Sequence, residues 1–223
     1  MNLATVELFK NIGNGVSGIR IEGELVQKCQ KVMFSITEDF ISMCEKEGIW
    51  YQLGGGSALG AVREHGFIPW DDDMDINVLS KDFDNLGSLV KKYYDGKYTF
   101  INHTTPGFNH VMGRIVLNNT LYCDRTSFNC EHKGFFLDIF IVENVPDNSL
   151  LRRLHGIFCM IFGGLLSCRN FYRDRNIYSK LAAQNPAASK IVKLKMFIGW
   201  CLSFLRPPWR GQDDLRPHFC QSH

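Results

Sequence analysis

The sequence predicts an α+β fold, a mixed sheet with flanking helices followed by a helical C-terminal region. Three observations point to it. One long stretch near the front repeats its apolar residues at helical spacing. A series of short apolar runs then follows, separated by glycine and asparagine turns. After Pro146 the strand-like runs stop and helical patterns take over.

The elements follow in order. Over residues 22–47 the apolar positions Leu25, Cys29, Val32, Ile36, Phe40 and Cys44 line one helix face, and Gly48 is a natural stop. Residues 49–53 read as a short strand, broken by Gly54, Gly55 and Gly56, and Ser57 reads as the cap of a short helix reaching about Glu64. A second strand is expected over 74–79. Ser80 then opens a helix carrying Phe83, Leu86, Val90 and Tyr93. Three further strands are expected over 98–103, 111–117 and 135–142, with Asn118-Asn119 turning the middle one back toward 120–123. A domain division is expected at residue 146, with a catalytic core over 1–146 and a helical region over 147–223.

The helical region contains two apolar stretches. Leu154 to Cys168 is shorter than the ~20 residues of a spanning helix, which favours a buried helix. Ile191 to Leu205 mixes Lys193 and Lys195 with Phe197, Trp200 and Phe204, and reads equally as a core helix or as a helix lying on an acidic membrane surface.

Charge divides along the same line. Residues 1–150 hold 13 Lys/Arg against 20 Asp/Glu, and residues 151–223 hold 12 against 3. An acidic front suits a bound cation, and a basic back suits an anionic partner. With 45% hydrophobic and 22% charged residues, disordered and collagen-like classes are excluded. The eight cysteines form no CxxC pair and several fall in apolar runs, which suits a reducing compartment. The N-terminus lacks the basic and apolar regions of a secretory signal, so a cytoplasmic location is expected. No recognisable nucleic-acid-binding module accompanies the basic residues, and no nucleic-acid partner is expected.

The segment GGGSALGAVREHGFIPWDDDMD, residues 54–75, carries the chemistry. Asp71, Asp72, Asp73 and Asp75 concentrate negative charge, and such groups suppress one another's ionisation unless a cation lies among them. On a strand Asp73 and Asp75 share a face, with Met74 on the other. Two such carboxylates suit Mg²⁺ or Mn²⁺, a hard ion that uses one or two carboxylates plus substrate phosphates. Asp138, alone inside the apolar run Phe136–Phe140, needs a partner or a metal if buried, and is the best candidate for a third ligand. A structural, hydrogen-bonded Asp138 is the competing reading. Gly55, Gly56 and Ser57 sit where a strand meets a helix N-terminus, a place suited to phosphate, and Arg63 could reach the same group. Arg63 reads alternatively as a simple partner of the aspartates.

Two other metal readings are weaker. Asp71, Asp73 and Asp75 fit the first positions of a calcium loop, but its sixth position is Ile76 rather than Gly and its twelfth is Asp82 rather than Glu. Cys123, Cys130 and His132 fit part of a zinc site with no visible fourth ligand.

GGGSALGAVREHGFIPWDDDMDINV resembles the hallmark of the LicD family of phosphocholine transferases, to which fukutin and fukutin-related protein are related. The preceding CQKVMFSITEDFISMCEKEGIWYQL and the later FFLDIFIVENVP are similar to the family as well, so the likeness covers about residues 25–146. The resemblance implies a nucleotidyltransferase-like, polymerase-β-type sheet. It implies a divalent metal at Asp73, Asp75 and Asp138, and these three as the catalytic residues. Gly55, Gly56, Ser57, Arg63 and Asp71 would bind substrate. The reaction implied is transfer of a phospho-alcohol such as phosphocholine from a CDP-alcohol to a hydroxyl of a cell-surface glycan or glycolipid. Nucleotidyl transfer and a truncated, non-catalytic relative are the alternatives. The closing RPPWRGQDDLRPHFCQSH does not follow the family pattern. The basic region 151–223 adds an expectation of peripheral contact with the inner face of a membrane.

Overall fold

The computed structural model describes residues 23–106, 108, 110–122, 132–173, 175–176, 178–179 and 186–204. They fall into two compact units, one drawn from Ile19–Asn144 and one including Val145 onward.

In the first unit, helix α1 (Glu24–Glu47) ends on Gly48, whose left-handed conformation closes the last turn by donating to the Cys44 carbonyl. Strand β1 (Tyr51–Leu53) leads into helix α2 (Gly55–Arg63), then β2 (Asp75–Leu79). Two short helices follow, α3 (Ser80–Phe83) and α4 (Leu86–Tyr94), and then β3 (Tyr98–Ile101), β4 (Gly113–Leu117) and β5 (Phe136–Val142). The sheet has five strands in the order β1-β2-β5-β4-β3. Only β2 and β5 run parallel, and the other neighbours are antiparallel. The expected mixed sheet with helices is therefore present.

The period-2 pattern of the strands divides the sheet into two faces. Ile76 and Val78 of β2 and Leu137 and Ile139 of β5 join Met33, Ile36, Phe40 and Met43 of α1 in the main core. Phe136 and Val116 point the other way and gather with Ile101 and Phe108 in a smaller cluster. Asp138 and Arg114 alternate in step with this second set, and Asp75 lies opposite Ile76 on β2. The polar residues of interest therefore stand on the face turned away from α1.

Several local expectations are corrected. The helix after Leu53 starts at Gly55, with Gly54 as its N-cap. Ser57 lies inside the first turn and its hydroxyl accepts from the Asp75 N–H at 2.9 Å, tying helix to strand. The single helix expected after Ser80 is two helices interrupted at Asp84 and Asn85. The strand expected over 98–103 stops at Ile101, because the Asn102 side chain accepts from the Thr104 N–H and forms a local turn. Asn119 does turn the chain, with φ 60°, but residues 120–122 are not a strand. Cys123 and Cys130 lie outside the described residues, and with them the zinc reading.

In the second unit, helix α5 (Ser149–Arg173) is 25 residues long and α6 (Pro186–Ser203) packs against it. Asn148 caps α5 by accepting from the N–H groups of Leu150 and Leu151. The apolar stretch 154–168 was expected to be buried, but it is mostly exposed. Only Cys168 and Phe171 of α5 are buried. α5 is long and apolar enough to cross a membrane by length and composition.

Candidate active site

The site forms where β2 and β5 run side by side. Their register places Asp75 directly beside Asp138, and the Asp138 N–H donates to the Met74 carbonyl at 3.0 Å. Neighbouring strands are ~4.8 Å apart, so the two residues share one small area of the sheet.

Asp138 is only 6% exposed, yet it has a partner the sequence reading missed. Arg114, 4% exposed, lies opposite it on β4. Its Nε donates to Asp138 Oδ1 at 2.6 Å and its Nη2 to Oδ2 at 3.1 Å. This two-bonded geometry is the strong form of a guanidinium–carboxylate pair. The Phe136 ring supports the guanidinium from 3.5 Å and the Phe108 ring from 5.6 Å. The signal was available: a lone Arg in one apolar strand run and a lone Asp in another each need a partner when buried.

The remaining aspartates gather at the N-terminal end of β2. Burial and the neighbouring Asp71 and Asp72 push the Asp73 carboxyl up to about 6, although Arg114 pulls it the other way. Asp71 is raised by burial, Asp72 and Asp75 despite its hydrogen bond to Asp73. Asp75 is raised by burial and by Asp73, and lowered by a bond from the Gly56 N–H. The cluster thus holds protons more tightly than isolated aspartates, as crowded carboxylates do.

The glycine turn packs directly on these carboxylates. Gly55 has φ 42°, and a Cβ there would overlap the Asp75 carboxylate. A Cβ at Gly56 would lie 2.6 Å from an Asp71 oxygen. The start of α2 therefore faces the acidic cluster, with Asp75 already taking a backbone donor from it. Gln30 of α1 holds the approach to the cluster. Its Nε2 donates to the carbonyls of Ile68 at 3.1 Å and Asp71 at 2.9 Å. The Tyr122 hydroxyl donates to the Asp72 carboxylate at 2.8 Å.

Asp71, Asp73, Asp75, Asp138, Gly55, Gly56 and Ser57 are thus brought to one end of the β2–β5 pair. Arg63 stands apart in its bonding. It ends α2, half-exposed, and pairs with its neighbour Glu64 at 2.6 Å. Among the described residues, no three His, Cys, Asp or Glu side chains converge closely enough to hold a metal ion together. The donor set fits a hard divalent ion in a narrower way. Asp73 and Asp75 are crowded carboxylates whose ionisation a cation would favour, while both oxygens of Asp138 are engaged by Arg114. Two carboxylates are sufficient where substrate phosphates complete the shell.

Residues 48–150 match the family described as LicD/FKTN/FKRP, nucleotidyltransferase domain. The chain is 30% identical over 122 residues to the lipopolysaccharide cholinephosphotransferase LicD of Haemophilus influenzae, covering 53% of this chain and 44% of that protein. It is 34% identical over 61 residues to the human ribitol 5-phosphate transferase FKRP, covering 27% of this chain and 12% of that protein, and equally to the mouse protein of that name. The matches therefore span less than half the length of these relatives.

Proposed function

The chain carries a LicD-family domain, and on that premise we propose that it transfers a substituted phosphate group to a glycan hydroxyl. The relatives named as cholinephosphotransferase and ribitol 5-phosphate transferase support the phospho-alcohol class. The observation that carries the reading is the acidic cluster packed on the glycine turn: Gly55 and Gly56 lie against the Asp75 and Asp71 carboxylates. The polymerase-β-type fold, the CDP-alcohol donor and the glycan or glycolipid acceptor belong to this proposal.

Asp73 and Asp75 are the residues that would hold Mg²⁺ or Mn²⁺; Asp138, beside Asp75, would join them as a third carboxylate only by giving up a bond to Arg114. Bound there, the ion would neutralise the donor diphosphate and stabilise the departing CMP. The protein's own groups do the rest. The N–H groups at the start of α2 present partial positive charge to a phosphate. Ser57 holds α2 on β2, so the turn keeps its distance from Asp75. In the metal-free cluster burial and the neighbouring aspartates hold the Asp73 carboxyl up at about 6, and a cation bound there would favour its ionised form. Arg114 fixes Asp138 and carries positive charge toward Asp73. Arg63, bonded to Glu64, enters substrate binding only by exchanging that exposed partner.

The test is a screen of CDP-choline, CDP-ribitol and CDP-glycerol for Mg²⁺-dependent thermal stabilisation, followed by product analysis with the stabilising donor. Transfer of the phospho-alcohol with CMP release is expected. Transfer of CMP to the acceptor would instead establish nucleotidyl transfer.

A further inference from the structure

The second unit presents an apolar surface that the proposed chemistry does not use. On α5, residues Leu150, Leu151, Leu154, Ile157, Phe158 and Ile161 are all exposed. At 100° per residue they fall in one broad arc, continued by the exposed Phe162 and Leu166. The opposite arc holds Arg152, Arg153, Gly156, Gly163 and Ser167, with the exposed Met160 among them, while His155 and Cys159 sit at the border beside Leu166.

Helix α6 covers part of the C-terminal half of α5. Val192 is buried, and a Cβ at Gly199 would overlap the Cys168 carbonyl. The Lys195 ammonium lies 3.5 Å from the Ser167 hydroxyl and 4.6 Å from the Phe171 ring centre. The outward side of α6 carries Lys190 and Lys193 and then the exposed Leu194, Phe197 and Trp200, with the exposed Phe204 just after its end.

We infer that α5 and α6 form a monotopic lipid-binding element that lies in the plane of an anionic bilayer, with the apolar arc of α5 in the acyl boundary. Three features single out this occupant. The charge is complementary: residues 151–223 hold 12 Lys/Arg against 3 Asp/Glu. The apolar residues of α5 are concentrated on one side: His155, Gly156, Gly163, Gly164 and Ser167 interrupt the stretch 154–168, a one-sided pattern that suits a helix lying in the interface even though its 25 residues are long enough to span. Arg152 and Arg153 lie beside that stretch on the arc opposite the leucines, where an in-plane helix keeps its charges in the headgroups. Trp200 adds an aromatic ring of the type that favours the interface.

Flotation of the full chain with vesicles tests this. One set is phosphatidylcholine alone and the other contains about a third phosphatidylglycerol. Binding to the anionic set is expected at low salt, about tenfold stronger than to the neutral set, and reduced at ~0.5 M salt. The double substitution Phe158→Asp/Ile161→Asp places charge on exposed positions and should abolish binding while leaving the circular dichroism spectrum unchanged. Should that variant misfold, Arg152→Glu/Arg153→Glu should still remove the preference for anionic vesicles. A membrane-impermeant maleimide should label Gly156→Cys on the vesicle-bound protein, the site read by mass spectrometry of the labelled peptide, because Gly156 lies in the middle of the arc opposite the leucines with open space around it. Absence of binding, or binding untouched by both variants, overturns the inference. So does protection of that introduced cysteine, which would indicate a spanning helix. An oligomer that is dissolved by the Phe158/Ile161 variant and does not float would assign the face to a second copy instead.

Discussion

Arg114 and Asp138 face each other across β4 and β5 and share two hydrogen bonds, 2.6 Å and 3.1 Å long, in almost complete burial. The pair places a positive charge beside a cluster of carboxylates that otherwise repel. It also gives Asp138 a structural role to set against its proposed place in the metal set.

Breaking the pair from one side should be costly. Arg114→Met leaves a buried carboxylate without its main partner, and a loss of about 3–5 kcal/mol is expected. Arg114→Lys should recover only part of it, since an ammonium cannot reproduce the forked geometry. The double variant Arg114→Met/Asp138→Leu should regain most of the stability. Urea unfolding of the three proteins reads all of this, and equal stability of single and double variants would contradict it.

The acidic cluster gives the metal-free protein an unusual pH dependence. The folded-state pKa of Asp73, about 6, lies above the ~3.9 of an unfolded chain. Between those values the native state binds more protons than the unfolded state, so unfolding free energy falls as pH rises. The contribution is fully present below pH ~4 and is lost as pH passes through about 6. Asp39 acts in the opposite sense. Burial raises it, but bonds from Lys97 and Tyr98 outweigh burial and lower its pKa, so its contribution is present above pH ~4 and lost in acid. Asp73→Asn should therefore flatten the fall between pH 4 and pH 6 and leave the acid limb in place. Melting curves in chelator across that range provide the check.

Gly55 should tolerate no side chain. Gly55→Ala meets both a positive φ and the Asp75 carboxylate, and a loss of at least ~1–2 kcal/mol is expected. Gly66→Ala, with no atom in the way, should change stability by only a few tenths of that. Denaturant unfolding distinguishes the two.

Gln30 is expected to matter for the site from a distance. Gln30→Leu removes the donor to the Ile68 and Asp71 carbonyls, at a cost of about 1–3 kcal/mol. Amide hydrogen exchange over residues 68–73 should rise with it. Unchanged exchange would show that the segment is held by other contacts.

Much of this site was legible in the sequence because its residues break local rules. Four aspartates beside an apolar run, and an aspartate inside another run, are physically expensive unless they are used. The glycine turn was read as a place for phosphate; what the structure packs against it is the carboxylates of Asp75 and Asp71. Arg114 and Gln30 were missed for a shared reason. Each interrupts an apolar pattern with one polar residue, and its meaning depends on a partner 24 or more positions away. Arg63 shows the converse: helical spacing placed it near the turn, but the nearer Glu64 takes its Nε. The exposure of α5 could not be read from its apolar content, because burial depends on what packs over a helix.

The central claim is that Asp73 and Asp75 bind a divalent ion needed for phospho-alcohol transfer. Calorimetric titration of Mn²⁺ into the wild type, Asp73→Asn, Asp75→Asn and Asp84→Asn tests it most directly. Asp84 is an exposed acidic residue at the end of α3 and serves as the control. Loss of at least about tenfold in affinity is expected for the first two variants, with Asp84→Asn matching the wild type. Equal affinity across all four proteins would contradict the account.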